Sequence, residues 1–157
     1  LNFFLKNLHY LRDFKLIIIG DGELKNEYYE FTRCNKLQDK IKVLSYKNNV
    51  LNYIRNAKCV ISCSLWEDPG WVLLEAAASN TLILSSDCKN GPSEIIDNNN
   101  AGQLYKSDDE QDFINKFNKI ISLDKAQINS KKLFAKKKSY SYTKFQHFKN
   151  LEEIISI

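Results

Sequence analysis

At 157 residues, 43% hydrophobic and 27% charged, the chain has the length and make-up of one packed domain, and its composition does not suggest disorder. The formal net charge of +4, from 23 basic and 19 acidic residues, is too mild for a dedicated nucleic-acid binder. No apolar run reaches the ~20 residues that span a bilayer, and neither end reads as a signal peptide, so a cytoplasmic location is expected.

Leu1, Phe4, Leu5, Leu8 and Leu11 recur at helical spacing from the first residue. The sequence contains no methionine, even at position 1, and is expected to be part of something longer. Lys15-Leu16-Ile17-Ile18-Ile19 is a continuous apolar strand ended by Gly20-Asp21-Gly22. Such runs without polar alternation suit strands buried on both faces of a parallel sheet. Residues 23–35 predict a helix with Leu24, Tyr28 and Phe31 on one stripe. Strand 41–44, a short helix over 50–56 and strand 59–63 follow.

A helix over 70–79 precedes a strand over 81–85, a turn or two of helix over 93–97 and a short strand over 103–105. Residues 108–122 form an amphipathic helix capped by Asp108 or Ser107, with Phe113, Ile114, Phe117 and Ile121 on one face. The rest reads as two helical segments joined near residues 139–142. The alternation predicts an α/β fold: a Rossmann-like open parallel sheet with helices on both faces, in a single domain over 1–157. Ligands of such folds bind at the carboxyl ends of the strands, where the loops 20–22, 45–49, 65–70 and 87–92 fall.

The most informative stretch is Ser64-Leu65-Trp66-Glu67-Asp68-Pro69-Gly70-Trp71-Val72-Leu73-Leu74-Glu75-Ala76-Ala77-Ala78. It sets Glu67 in a loop after a strand and Glu75 about one and a half turns into the next helix, at roughly 3.6 residues per turn. Between them lie the free N–H groups of a helix start, which attract anions; Gly70 allows close approach, with Trp71 and Val72 behind it. This arrangement suits a ligand with hydroxyls at both ends and phosphate between, such as a nucleotide diphosphate sugar. Glu75 sits among leucines and alanines and needs partners, and vicinal ribose hydroxyls supply them; a first-turn Glu favouring the helix dipole is the plainer alternative. Glu67 is placed to accept sugar hydroxyls and stabilise positive charge on the ring, although acids are also ordinary turn formers. Asp68 is a ligand contact or a helix cap.

Other features carry less. Gly20-Asp21-Gly22 lacks the third glycine of a dinucleotide fingerprint. Lys89 can reach a phosphate or stand in solvent. Cys34, Cys59, Cys63 and Cys88 have no metal-ligand spacing and read as buried free thiols, so no metal site is expected. Lys131, Lys132, Lys136, Lys137 and Lys138, near Phe134 and Tyr140, read as a solvated face, with attraction to anionic lipid at the inner membrane face as the alternative.

Taken together, Ile19-Gly20-Asp21-Gly22-x-Leu24, Val43-Leu44, Ala57-Lys58-Cys59-Val60-Ile61, Glu67 with Glu75, Ser85-Ser86-Asp87-Cys88 and Gly91-Pro92-Ser93-Glu94-Ile95 resemble one family. These are the retaining, nucleotide-sugar-dependent glycosyltransferases of GT-B type (glycosyl transferases group 1), and the resemblance covers essentially the whole chain. It implies that Glu75 binds the ribose, Glu67 contacts the transferred sugar and acts in catalysis, and the Gly70 and Trp71 amides face phosphate and sugar. It places Tyr46 and Lys47 beside the base and Glu94 near the phosphates. Asp68-Pro69 replaces the usual Gly-Phe, and Asn80 and Leu82 replace Gly and Pro. The first strand, with its phosphate-clamping Arg and Lys, and the acceptor-binding amino-terminal domain would precede Leu1.

The resemblance implies transfer of a sugar, from a UDP-sugar first of all, to a glycan or lipid-linked acceptor in bacterial polysaccharide synthesis. It implies no cofactor beyond the donor, and an isolated fragment without turnover. The alternative from another class is a non-catalytic nucleotide- or partner-binding Rossmann module, since one fold serves many functions. A sugar-nucleotide epimerase of the same two-domain plan is the enzymatic rival.

Overall fold

In the computed structural model residues 14–155 are described, so the helical pattern at 1–11 lies outside the described residues. The chain divides into two compact units, Leu1–Val50 and Leu51–Ile157.

The first unit holds β1 (Leu16–Ile19), α1 (Lys25–Cys34) and β2 (Ile41–Leu44). β1 and β2 pair in parallel with Leu16 opposite Ile41 and Ile19 opposite Leu44. Leu37 and Ile41 form its core, with Leu16, Ile18 and Phe31 packed against them. The expected stripe on α1 is altered. The helix begins at Lys25, which leaves Leu24 half exposed at 50%, and Thr32 is its buried residue, its hydroxyl satisfied by the Tyr29 carbonyl at 2.8 Å.

The second unit contains α2 from Leu51 onward (the helix spans Val50–Asn56), β3 (Cys59–Ser62), α3 (Trp71–Ala78), β4 (Leu82–Ser86), α4 (Pro92–Ile96) and β5 (Gln103–Tyr105). α5 (Glu110–Ile121), α6 (Lys125–Ser139), a 3-10 turn (Tyr140–Tyr142) and α7 (Lys144–Ile155) complete it. β3, β4 and β5 are parallel and adjacent in that order. β4 is therefore the central strand of its sheet, and all five of its residues are buried. That explains its apolar run of Leu82, Ile83 and Leu84. Its two buried serines find acceptors, Ser85 in the Ser86 carbonyl at 3.0 Å and Ser86 in the Ser64 carbonyl.

The α/β class and parallel strands are as expected, while the strands hydrogen-bond as two sheets, β1-β2 and β3-β4-β5. α5 buries Phe113, Phe117 and Ile120. Ile121, expected on that face, is 40% exposed because the i, i+4, i+7 stripe passes one residue before it. Tyr105 meets Phe113 edge to face at 5.0 Å, and Phe113 stacks on Phe117 at 5.9 Å. The cap of α5 is Asp109, which accepts the Asp112 N–H at 2.9 Å, not Asp108 or Ser107; Asp108 has a left-handed φ of 60° instead. α6 starts on an Asp124–Gln127 capping box and ends on Lys136, Lys137 and Lys138, charges that suit the negative end of a helix. The inward-reaching member of the lysine cluster is Lys131, whose ammonium binds the Asn99 and Gly102 carbonyls. No helix among the described residues is long and apolar enough to cross a membrane.

Candidate functional site

Strand β3 ends at Ser62, and the chain then makes the acidic turn before re-entering helix at Trp71. Glu67 is half-buried within that turn. Its Oε1 accepts the Ser64 hydroxyl at 2.6 Å and, at a long 3.4 Å, that of Ser62. Those bonds engage one carboxylate oxygen and leave Oε2 without a partner among the described residues. The Ser64 carbonyl is in turn held by the buried Ser86 hydroxyl, and the Tyr105 hydroxyl donates to the Ser62 carbonyl at 3.1 Å. The end of β3 is thereby tied to β4 and β5. Tyr105 is pushed to a higher pKa, by burial first, and stays neutral as a donor.

Gly70 caps α3 in a left-handed conformation, φ 91° and ψ 57°, which a glycine adopts without penalty. Its carbonyl accepts the N–H of Leu73 at 3.0 Å and of Leu74 at 3.4 Å. The N–H groups of Trp71 and Val72 have no acceptor among the described residues, so they are the exposed donors of this helix start. No side chain caps the helix, which removes the capping role considered for Asp68; that residue is exposed. The indole of Trp71, 63% exposed, and that of Trp66, 60% exposed, flank the turn.

Glu75 lies on the second turn of α3 between buried Leu74 and Ala76. It is half-buried, and among the described residues no group donates to its carboxylate. A half-buried acid without a protein donor remains free to accept ligand hydroxyls.

The loop after β4 supports this turn. Lys89 pairs with Trp66 as an isolated parallel bridge, and its carbonyl accepts the Glu67 N–H at 3.3 Å. The Lys89 side chain is exposed. Glu94, in the first turn of α4, accepts the Tyr142 hydroxyl at 2.7 Å. Burial, reinforced by the Glu94 carboxylate, raises the Tyr142 pKa and keeps that hydroxyl protonated.

The structure thus brings Glu67, Gly70, Trp71 and Lys89 into one neighbourhood, places Val72 and Glu75 on the helix leading from it, and sets Glu94 at the far end of the supporting loop. Sequence reasoning named Ser64, Ser86 and Gly91 as parts of motifs but gave neither them nor Tyr142 a supporting contact. Ser64 left one local signal, a hydroxyl three residues before an acid, a spacing at which short side chains bond locally.

The remaining candidates belong to the first unit. Tyr46 is 69% exposed, and its N–H donates to Asp21 Oδ2 at 2.8 Å. Lys47 is half-buried. Asp21 also takes the Lys25 ammonium, which reaches Ser45 at 2.6 Å. The Lys25 hydrogen bond, then the Tyr46 N–H, hold the Asp21 carboxyl below its ordinary range. Gly20-Asp21-Gly22 therefore serves as a turn whose acid pins the loop after β2. The cysteines are divided: Cys34 and Cys63 are exposed, Cys59 is half-buried and Cys88 buried, which corrects the expectation of four buried thiols.

The pattern of the glycosyl transferases group 1 family matches residues 2–141. The chain belongs to this family. Among curated relatives, the amylovoran biosynthesis glycosyltransferase AmsD of Erwinia amylovora is 30% identical over 124 residues, covering 79% of this chain and 34% of that protein. An alpha-1,4-N-acetyl-D-galactosaminyltransferase of an undecaprenol-linked glycan in Campylobacter jejuni is 29% identical, covering 95% of this chain and 41% of its own. The chain thus spans well under half the length of these relatives. In fold it superposes on Alr3699/HepE of Anabaena, solved in complex with UDP, with a TM-score of 0.82 at 17% identity over 99% of this chain and 44% of that one.

Proposed function

We propose that this chain is the donor-binding, carboxy-terminal part of a retaining glycosyltransferase that moves a sugar from a UDP-sugar to a glycan or lipid-linked acceptor. The observation that carries the reading is the combination within a single strand–turn–helix. Two free N–H groups at Trp71 and Val72 lie between Glu67, which has one carboxylate oxygen unengaged, and Glu75, which has no protein donor. The names of the relatives, which include an alpha-transferase acting on a lipid-linked glycan and a structure holding UDP, support the substrate class.

In this reading the Glu75 carboxylate accepts the two ribose hydroxyls, and the Trp71 and Val72 amides meet the diphosphate. The bond between the sugar's anomeric carbon and the diphosphate breaks, and its electron pair leaves with UDP. Oriented N–H donors at the helix start stabilise that developing negative charge. Oε2 of Glu67 lies toward the positive charge that builds on the sugar ring. The acceptor oxygen forms the new bond, and its proton passes to the departing phosphate. The exposed Lys89 and Asp68 then stand around the site. No metal or cofactor beyond the donor enters this account. The protein works on the cytoplasmic side, where UDP-sugars are made, with lysines of α6 available to a membrane surface. An amino-terminal domain supplies the acceptor site and the phosphate clamp, and the isolated 157 residues turn over no donor.

The test is release of UDP from UDP-sugars by the full-length protein with a glycan acceptor. Glu67→Gln is expected to abolish transfer while UDP still binds. Undiminished turnover in Glu67→Gln overturns the catalytic role.

A further inference from the structure

Lys89 and Glu94 were singled out as donor contacts, and the structure also gives the Lys89 backbone and the exposed Glu94 carboxylate partners within the chain. The Lys89 carbonyl takes the Glu67 N–H at 3.3 Å, and Lys89 bridges Trp66. Two residues on, Gly91 presses against the turn. A Cβ placed on Gly91 would stand 2.0 Å from the Pro69 carbonyl oxygen and 2.8 Å from its carbon, so only a residue without a side chain allows this approach. Gly91 also starts α4 by accepting the Ile95 N–H at 2.9 Å. Glu94, on the first turn of that helix, is held by Tyr142 at 2.7 Å. The segment 89–94 therefore meets the acidic turn at Trp66, Glu67 and Pro69, and is fastened at its other end to the 3-10 turn before α7.

We infer that segment 89–94 is a positioning element for Glu67, and that Tyr142, acting through Glu94 and Gly91, is a positioning residue that sets where the Glu67 carboxylate stands. The turn needs such support. Leu65 is 73% exposed and Trp66 60%, so burial of its own side chains does little to hold it. A reacting group displaced by about 1 Å loses on the order of a hundredfold in rate. The contacts on Trp66, Glu67 and Pro69 fix the backbone on both sides of the acid, while Ser64 fixes the carboxylate itself. Glu94 has a structural partner in this account and owes nothing to the donor.

The inference rests on the reading of Glu67 given above, and two variants separate it from a direct donor contact by Glu94. Tyr142→Phe removes the hydroxyl and keeps the Glu94 charge. Glu94→Gln removes the charge and keeps an oxygen for Tyr142. Hydrogen exchange read by mass spectrometry on the full-length protein tests the coupling without reference to any ligand. In Tyr142→Phe, exchange is expected to rise about fivefold in peptides covering 64–71 as well as 89–96, with α5 unchanged, as in opening of one local unit. Acceleration confined to 92–97 and 140–143 overturns the inference, whatever the protein's activity.

Release of UDP from a panel of UDP-sugars gives the second readout. Positioning predicts that kcat falls about tenfold in Tyr142→Phe with KM within about twofold, and that Glu94→Gln stays near wild type. The reverse pattern, an impaired Glu94→Gln and a normal Tyr142→Phe, makes Glu94 a donor contact and overturns the proposal. A wild-type protein that turns over no UDP-sugar counts against the transferase reading alone, and the exchange data still decide the coupling.

Discussion

Replacing Gly91 by alanine should be among the costliest single-atom additions in the second unit. The added Cβ would lie 2.0 Å from the Pro69 carbonyl oxygen. Ordinary close carbon–oxygen contacts are about 3.3 Å, so the two segments must separate by roughly 1.3 Å. Overpacking of that kind costs about 1–3 kcal/mol. Gly91 also has a φ of 123°, a conformation that side-chain-bearing residues rarely adopt, for about another 1–3 kcal/mol. A loss of about 3–4 kcal/mol follows, which lowers Tm by about 10 °C in a protein of this size. Urea and thermal unfolding of Gly91→Ala measure it. Gly22→Ala is the control, since nothing stands within 4 Å of a Cβ there, and it should change stability by less than about 1 kcal/mol. If Gly91→Ala unfolds within about 0.5 kcal/mol of wild type, the close approach of loop and turn is not as described here.

Phe113→Ala removes a buried ring that packs on both Tyr105 and Phe117, and should cost about 3–5 kcal/mol in urea unfolding. The thiols should separate by accessibility, with Cys34 and Cys63 reacting with a disulfide reagent at pH 8 well before Cys88. Burial pushes the Cys59 thiol up to about 12 from an ordinary 9.0. Because the folded value is the higher, its stabilising contribution is complete below about pH 9 and is lost as pH rises toward 12. Stability measured across that window should fall less steeply in Cys59→Ala than in wild type.

The parts legible in the sequence were those set by local pattern. The strand Ile41–Leu44, the helix Val50–Asn56 and the strand Gln103–Tyr105 stand where apolar runs and turn residues predict them. Helix starts were less legible. Asp108 and Asp109 are equally good caps by residue type, and the choice falls to Asp109 because its side chain reaches the Asp112 N–H while Asp108 takes the turn conformation. Glu67, Gly70 and Glu75 stood out because acids and a glycine at a strand–helix junction are few and conspicuous. Their supports did not. Ser86, Gly91 and Tyr142 matter through contacts between segments far apart in sequence, and no periodicity announces a hydroxyl that meets a distant carbonyl. Lys89 was noticed for its charge, and its backbone contacts to Glu67 and Trp66 are a further feature that charge did not reveal.

The central claim is that Glu75 holds the ribose of a nucleotide donor. It is tested most directly by calorimetric titration of UDP into the full-length protein and its Glu75→Gln variant. Hydrogen bonds to a charged acceptor contribute about 1.5–3 kcal/mol, so the account predicts affinity weakened by about ten- to a hundredfold with the fold intact. UDP affinity unchanged in Glu75→Gln would contradict it.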